Sequence, residues 1–392
     1  MKIRNLKASF EIPGTYFQRR CYQMSDFNPE PYLEKLEALI DVDHLLAAEA
    51  RQSAAWQFEP VDRRPTIISV RDDWGHHQHD FPPGWIRLPY SETFRDPAKM
   101  LISELTRAYE GALLKDDRAY TIRANYGLIV LASMVGCPYW QDQENMPWAE
   151  AFTEVDDVRR VLDQGLPAMN SGIAGQIWET EAYFRETLAQ YPRLSQTVRI
   201  GSPDAQGPFN TAVNIAGVNV YYLVMDEPDL VHRLMQFSTD LYLAVIGHHK
   251  KLMAEPMNVG YSFSYRIRGG GRMSDDSAVM MSGKMYEEFV KPYNAQACQA
   301  TEGALLHFCG QGNQFFEHMT GTPGVTAIQF GNPEMQDFMA RYELAQASKV
   351  CMLWDGDLPD PLDHIKTGVV HKKIVKSWAE AEAAAAKLQQ SL

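Results

Sequence analysis

Eight short runs of β-branched and apolar residues recur along the chain, at 66–70, 120–127, 197–202, 259–264, 304–309, 325–330, 349–354 and 368–371. Each is followed by Gly, Pro, Asp or Asn and then by a helical stretch, and this alternation limits the fold more than any other feature. Strands separated by helices cannot close as hairpins, so the crossovers make neighbours parallel. Eight such units in one uninterrupted chain predict an α/β protein whose strands close into a (β/α)8 TIM barrel, rather than an open doubly wound sheet. The helices carry their own signals. Pro228 opens one in which Leu230, Leu234, Phe237 and Leu241 share a face, and Ser282 is placed to cap another. Residues 1–60 are expected to form an N-terminal helical extension or cap, and 61–392 the barrel, the whole being one structural domain. The Ala-rich stretch 379–387 is a strong helix former.

Composition excludes several classes of partner. The formal net charge of −13 comes with no segment that concentrates Lys and Arg, so the basic face a nucleic-acid duplex requires is missing. The first residues lack the unbroken apolar core of a secretory signal, and apolar runs such as 128–135 are far too short to span a bilayer. No membrane association and a cytoplasmic location are therefore expected. The five cysteines are odd in number and scattered, which fits reduced thiols rather than a disulfide framework.

A parallel barrel places its chemistry where strands end and βα loops begin. The polar residues at those ends are Asn125, Tyr126, Asp204, Gln206, Arg272, Asp275, Asp276, His307, Cys309, Gln329, Trp354, Asp355 and His371. Residues two apart on a strand point the same way, so His307 and Cys309 can converge on one cation that accepts nitrogen and sulfur. Asp275 and Asp276, after the run Gly269-Gly270-Gly271-Arg272, are adjacent carboxylates suited to sharing a proton, contacting substrate or orienting a ligand histidine. The glycine run has no following Lys-Ser/Thr, and no strand-GxGxxG-helix unit is present, so nucleotide binding is not expected. The segment 74–80, with three histidines, reads as a polar loop over the barrel mouth. His248-His249 beside Lys250-Lys251 reads as a solvated helix surface.

Several stretches in their order resemble the uroporphyrinogen-decarboxylase-like superfamily, which includes porphyrin decarboxylases and zinc-dependent methyltransferases acting with corrinoid proteins. Residues 60–65 resemble its approach to the first barrel strand, Gly207-Pro208-Phe209 its glycine-proline turn, and 281–292 its helix before a strand ending here in His307-Phe308-Cys309-Gly310. The resemblance spans roughly residues 60–380 and implies the barrel fold. Porphyrin decarboxylases carry an Arg-rich segment near the N-terminus and a pyrrole-gripping aspartate, neither of which is evident. The His-x-Cys pair is similar to that of the corrinoid-dependent methyltransferases, where it binds zinc. Their thiol-activating members take a third ligand, a cysteine after glycine, from the last strand; 367–371 contains none. Cys351, His371, Asp275, Asp276 or Glu302 is then left to complete the shell.

The leading expectation is a zinc-dependent methyltransferase component that moves a methyl group from a small methoxylated substrate to a corrinoid held by a partner protein. His307, Cys309 and Cys351 are the metal candidates; Asp275, Asp276 and His371 the catalytic ones. Asn125, Tyr126, Asp204, Gln206, Arg272, Gln329 and Trp354 would meet substrate. A homodimer is expected from the resemblance alone. The alternative is a cofactor-free decarboxylase of uroporphyrinogen or another carboxylic acid, using Arg123, Arg266, Arg268 and Arg272 as cationic partners. A non-catalytic ligand-binding protein is the third reading.

Overall fold

The structure is a computed structural model and describes residues 26–70, 80–359, 362 and 364–390. Its parallel strands are β1 (Thr66–Ser69), β2 (Thr121–Ile122), β3 (Arg199–Ile200), β4 (Gly271–Ser274), β5 (Ala304–Phe308), β6 (Val325–Phe330), β7 (Cys351–Asp355) and β8 (Val369–Ile374). Six of them form one parallel sheet in the order β1-β8-β7-β6-β5-β4, and β2 pairs with β3 separately. The helices between them make this a mixed α/β fold around a central parallel sheet.

The segment before β2 fastens onto β1 mainly through side chains. The Ile68 amide donates to Asp116 Oδ2 at 2.7 Å and the Thr66 amide to Asp117 Oδ2 at 2.9 Å, while Arg118 donates to the Ile68 carbonyl. One backbone bond, from Asp117 N to Thr66 O at 3.0 Å, joins this segment to β1. These charges are not left alone: Arg118 pairs with Asp116 at 2.8 Å and with Glu110 at 3.0 Å, all three buried. Arg51 and Arg63 grip Asp117, and Gln52 donates to its carbonyl at 2.6 Å. Every buried strand-edge group thus finds a partner, as burial requires.

Alternation along the strands divides the apolar residues. Ile67, Leu305, Ala327, Cys351, Leu353 and Val370 cluster together with Trp56 and Tyr265 on one face. Leu306, Phe308, Ile328, Phe330, Met352 and Trp354 pack into the larger cluster with the helices on the other. The residues expected as an N-terminal cap include two helices, Glu30–Leu39 and Val42–Trp56. The Pro228 helix runs to Met253 and buries Leu230, Leu234, Phe237 and Leu241, and Ser282 Oγ accepts the Met285 amide at 3.2 Å as an N-cap. The C-terminal helix is Trp378–Gln390.

Two expectations are corrected. The run at 259–264 does not join the parallel sheet: Val259–Ser262 pairs antiparallel with Tyr265–Arg268, and Gly271–Ser274 takes the sheet position beside β5. Of the three glycines, Gly269 turns the chain with φ at 107°, while Gly271 lies within the strand and serves close packing, since a Cβ there would lie 2.7 Å from Thr301 Oγ1 and 2.8 Å from the Ala304 Cβ. Nor is His248-His249 a solvated pair. Successive helix positions turn by 100°, and His249 faces inward, fully buried, with Nδ1 3.0 Å from Glu181 Oε1. The histidine-rich segment 74–79 lies outside the described residues. The described cysteines, Cys137, Cys298, Cys309 and Cys351, are free thiols. Among the described residues no helix is long and apolar enough to cross a membrane.

Candidate metal centre

β4 and β5 lie side by side with Ser274 opposite His307, and the register continues one residue further through a 2.7 Å bond from Asp275 N to His307 O. That bond sets Asp276, at the start of a short helical turn, beside the end of β5. His307, Cys309 and Asp276 each offer one ligand atom, and these atoms all lie within 4.8 Å of one another. His307 Nε2 stands 3.5 Å from Cys309 Sγ and 3.5 Å from Asp276 Oδ1. Tetrahedral zinc with bonds of about 2.0–2.3 Å sets ligand atoms about 3.3–3.8 Å apart. Both distances from His307 fall in that range; an imidazole, a thiol and a carboxylate within 4.8 Å of one another, with no fourth protein ligand grouped with them among the described residues, match the donor set of an open zinc site.

The electrostatics follow from burial. His307 is buried, which holds its imidazole below the ordinary value despite the nearby Asp276 carboxylate, and so favours the neutral, ligating form. Burial, helped by Asp276, pushes the Cys309 thiol up to about 12. A cation beside it would reverse that balance and stabilise the thiolate. Asp276 Oδ1 also accepts the Cys309 amide at 2.8 Å, and its Oδ2 receives Asn210 Nδ2 at 3.2 Å. The carboxylate is therefore fixed from two sides.

A chain of hydrogen bonds leads inward from this point. Asn210 donates to Gln206 Oε1 at 2.9 Å, and Gln206 donates to Asp204 Oδ1 at 3.1 Å. Asp204 is clasped by Arg272 and Arg123, each at 2.6 Å. Burial would raise its carboxyl, but the two guanidinium groups outweigh that and hold it below the usual range. Both guanidinium groups lie over the Phe263 ring, at 5.0 Å and 4.5 Å from its centroid. A second polar group gathers around Asp355, which accepts from Tyr265 at 2.5 Å, Gln329 at 3.1 Å and Lys372 at 3.2 Å.

The structure thus brings Asp276, His307 and Cys309 together and links Gln206, Asp204 and Arg272 to them; Gln329 sits one strand over, opposite His307. Other expected site residues are engaged elsewhere. Asp275 is fully buried behind the centre, bonded to Tyr286 at 3.0 Å and Asn294 at 2.6 Å, and burial raises its carboxyl to about 7. Cys351 lies in the apolar cluster with Leu353 and Val370 and is not among the grouped ligands. His371 is bonded to the Gly356 carbonyl at 2.8 Å, and burial lowers it to about 4. Tyr126 meets Thr180 at 2.8 Å within the helical layer, and Asn125 donates to Glu104 at 2.9 Å. Trp354 packs on Phe330 and Phe338 with its indole N–H on the Asp357 carbonyl. Sequence reasoning missed Asn210, Tyr265 and Lys372. The one available signal was for Asn210, in the first turn of the helix Pro208–Ala216 that the Gly207-Pro208 turn opens.

Fold and site together define an α/β protein with a candidate three-residue metal centre at the C-terminal ends of adjacent parallel strands. No protein-family model and no curated protein sequence matches the chain. Among solved structures it is similar to a methyltransferase from Methanosarcina mazei, with a TM-score of 0.61 and 17% identity, covering 88% of this chain and 99% of that one. A likeness at that identity shows a shared fold over nearly the full length of both chains.

Proposed function

We propose that this protein is the substrate-binding component of a zinc-dependent methyltransferase, which passes a methyl group from a small methoxylated compound to a corrinoid carried by a partner protein. The observation that carries the reading is the grouping of Asp276, His307 and Cys309 within 4.8 Å, with His307 Nε2 3.5 Å from each of the other two, a distance that suits tetrahedral zinc. The fold shared with a methyltransferase supports it. The finer architecture we infer is a uroporphyrinogen-decarboxylase-like (β/α)8 barrel, with the 116–118 side chains serving as its seam between β1 and β2.

Zinc, when bound, supplies a Lewis acid that polarises an ether oxygen and eases departure of the alkoxide. The chain's own residues do the rest. His307 stays neutral through burial and presents Nε2, and Asn210 and the Cys309 amide hold Asp276 in place. Gln206 and Asp204 tie that carboxylate's support to Arg272, so the floor of the site is polar and rigid. The decarboxylase alternative needs cationic side chains to receive substrate carboxylates. Arg123 and Arg272, the inward-lying candidates, are already shared on Asp204, which weighs against it.

The test is metal content together with methyl transfer. Protein purified without chelator should carry one zinc per chain, and a His307→Ala/Cys309→Ala variant none. The wild type should also methylate free cob(I)alamin from methoxylated arenes, read by its visible spectrum. Metal-free wild type that folds normally would overturn the proposal.

A further inference from the structure

We infer that Gly331 is a positioning residue for the metal centre: its missing side chain is the space into which the Cys309 thiol reaches. This rests on the metal reading above. Gly331 follows the last residue of β6, and the pairing of Phe330 with Phe308 sets it beside Cys309 on the neighbouring strand. A Cβ at Gly331 would lie 2.5 Å from Cys309 Sγ, 3.2 Å from His307 Cε1 and 3.3 Å from Cys309 Cα. The first distance is far inside van der Waals contact, and the second is tight against the imidazole of the other ligand.

Backbone conformation does not account for the glycine, because Gly331 is not among the residues with positive φ. The backbone cannot retreat either. Gly331 N donates to the Phe308 carbonyl at 2.9 Å, and Gly310 N donates to Asn332 Oδ1 at 2.9 Å, so both strand ends are tied together around the thiol. Relief from an added methyl group must come from the Cys309 side chain, by rotation about its Cα–Cβ bond. That rotation carries Sγ away from His307 Nε2 and dismantles the ligand set. Gly331 touches no metal itself and acts through Cys309.

The experiment uses the full chain, cobalt(II) in place of zinc, and the Gly331→Ala variant. Wild type should show a thiolate-to-cobalt charge-transfer band; Gly331→Ala should lose most of it and bind cobalt about 10- to 100-fold more weakly in a chelator competition. In a Cys309→Ala background, adding Gly331→Ala should change affinity far less than it does in wild type, since the 2.5 Å contact is gone and only the 3.2 Å approach to His307 remains. Melting temperature supplies the second readout. If Gly331→Ala alone folds poorly, the double variant should recover the stability of Cys309→Ala. A Gly331→Ala protein with wild-type affinity and a full band overturns the inference while leaving the metal centre standing. A double variant as unstable as Gly331→Ala also overturns it, by showing a general packing role. Wild type that takes up no cobalt overturns the metal centre and this inference with it.

Discussion

Asp204→Asn is the perturbation whose outcome the structure fixes most closely. Asp204 holds two guanidinium groups at 2.6 Å, and the three side chains are only 6%, 13% and 10% exposed for Asp204, Arg123 and Arg272. Solvent screening at such burial is slight. The amide keeps the shape but removes the charge, and turns an NH2 group toward one arginine. Breaking a buried pair from one side costs about 3–5 kcal/mol, and here two cations lose their partner together. With a urea slope of about 3 kcal/mol/M, the unfolding midpoint should fall by about 1–1.7 M. The carboxyl sits below its ordinary 3.8 in the folded protein, so its contribution is complete above that pH and is lost as pH falls through the folded value. Wild type and variant should therefore differ at pH 7 and converge under acid. A midpoint shift below about 0.3 M at pH 7, or a gap unchanged on acidification, would refute the account.

Other predictions are independent of that one. Trp354→Ala should cost about 3–5 kcal/mol in stability yet leave zinc affinity unchanged, because the indole packs on Phe330 and Phe338; a selective loss of metal would contradict this. His371 is held neutral by burial, with a folded value of about 4 against 6.5, so the unfolded chain takes up its proton first. Stability should fall by about 3 kcal/mol as pH drops from 6.5 to 4, and His371→Gln should flatten that slope in pH-dependent denaturation. Asp116→Ala strips a partner from buried Arg118 and from the Ile68 amide, and should cost about 3–5 kcal/mol by urea titration. Asp275→Asn should leave cobalt affinity within about threefold of wild type, because Asp275 is turned away from the ligand atoms toward Tyr286 and Asn294.

The parallel α/β arrangement was legible because strand and helix periodicities alternate openly, and His307-Phe308-Cys309 was legible because two-residue spacing on a strand carries its own geometry. Trp354 and Asp355 show where that reasoning stops. In a strand buried on both faces, Leu353 and Trp354 are equally apolar, so composition does not say which side faces the site. The same ambiguity placed Cys351 among the ligands, although it starts β7, two residues before Leu353, which pairs with Gln329. Asp276 and its neighbour were candidates together, and nothing local separates the carboxylate grouped with His307 and Cys309 from Asp275, which is buried behind it. That distinction comes from the register of β4 on β5, a long-range fact.

The side chains of Asp116, Asp117 and Arg118 that fasten onto β1 bear on how this molecule comes apart. A backbone ladder is anonymous and survives most substitutions, whereas this junction depends on Asp116, Asp117 and Arg118 by identity. It is also latched from outside the sheet, since Arg51 and Gln52 on the helix Val42–Trp56 hold Asp117. Amide exchange at Ile68 and Thr66 should accordingly report the docking of that helix rather than the stability of the strand they belong to. Cutting the chain at residue 60 would take away Arg51 and Gln52 and leave Arg63 alone on Asp117, and the amides at Ile68 and Thr66 should then exchange faster.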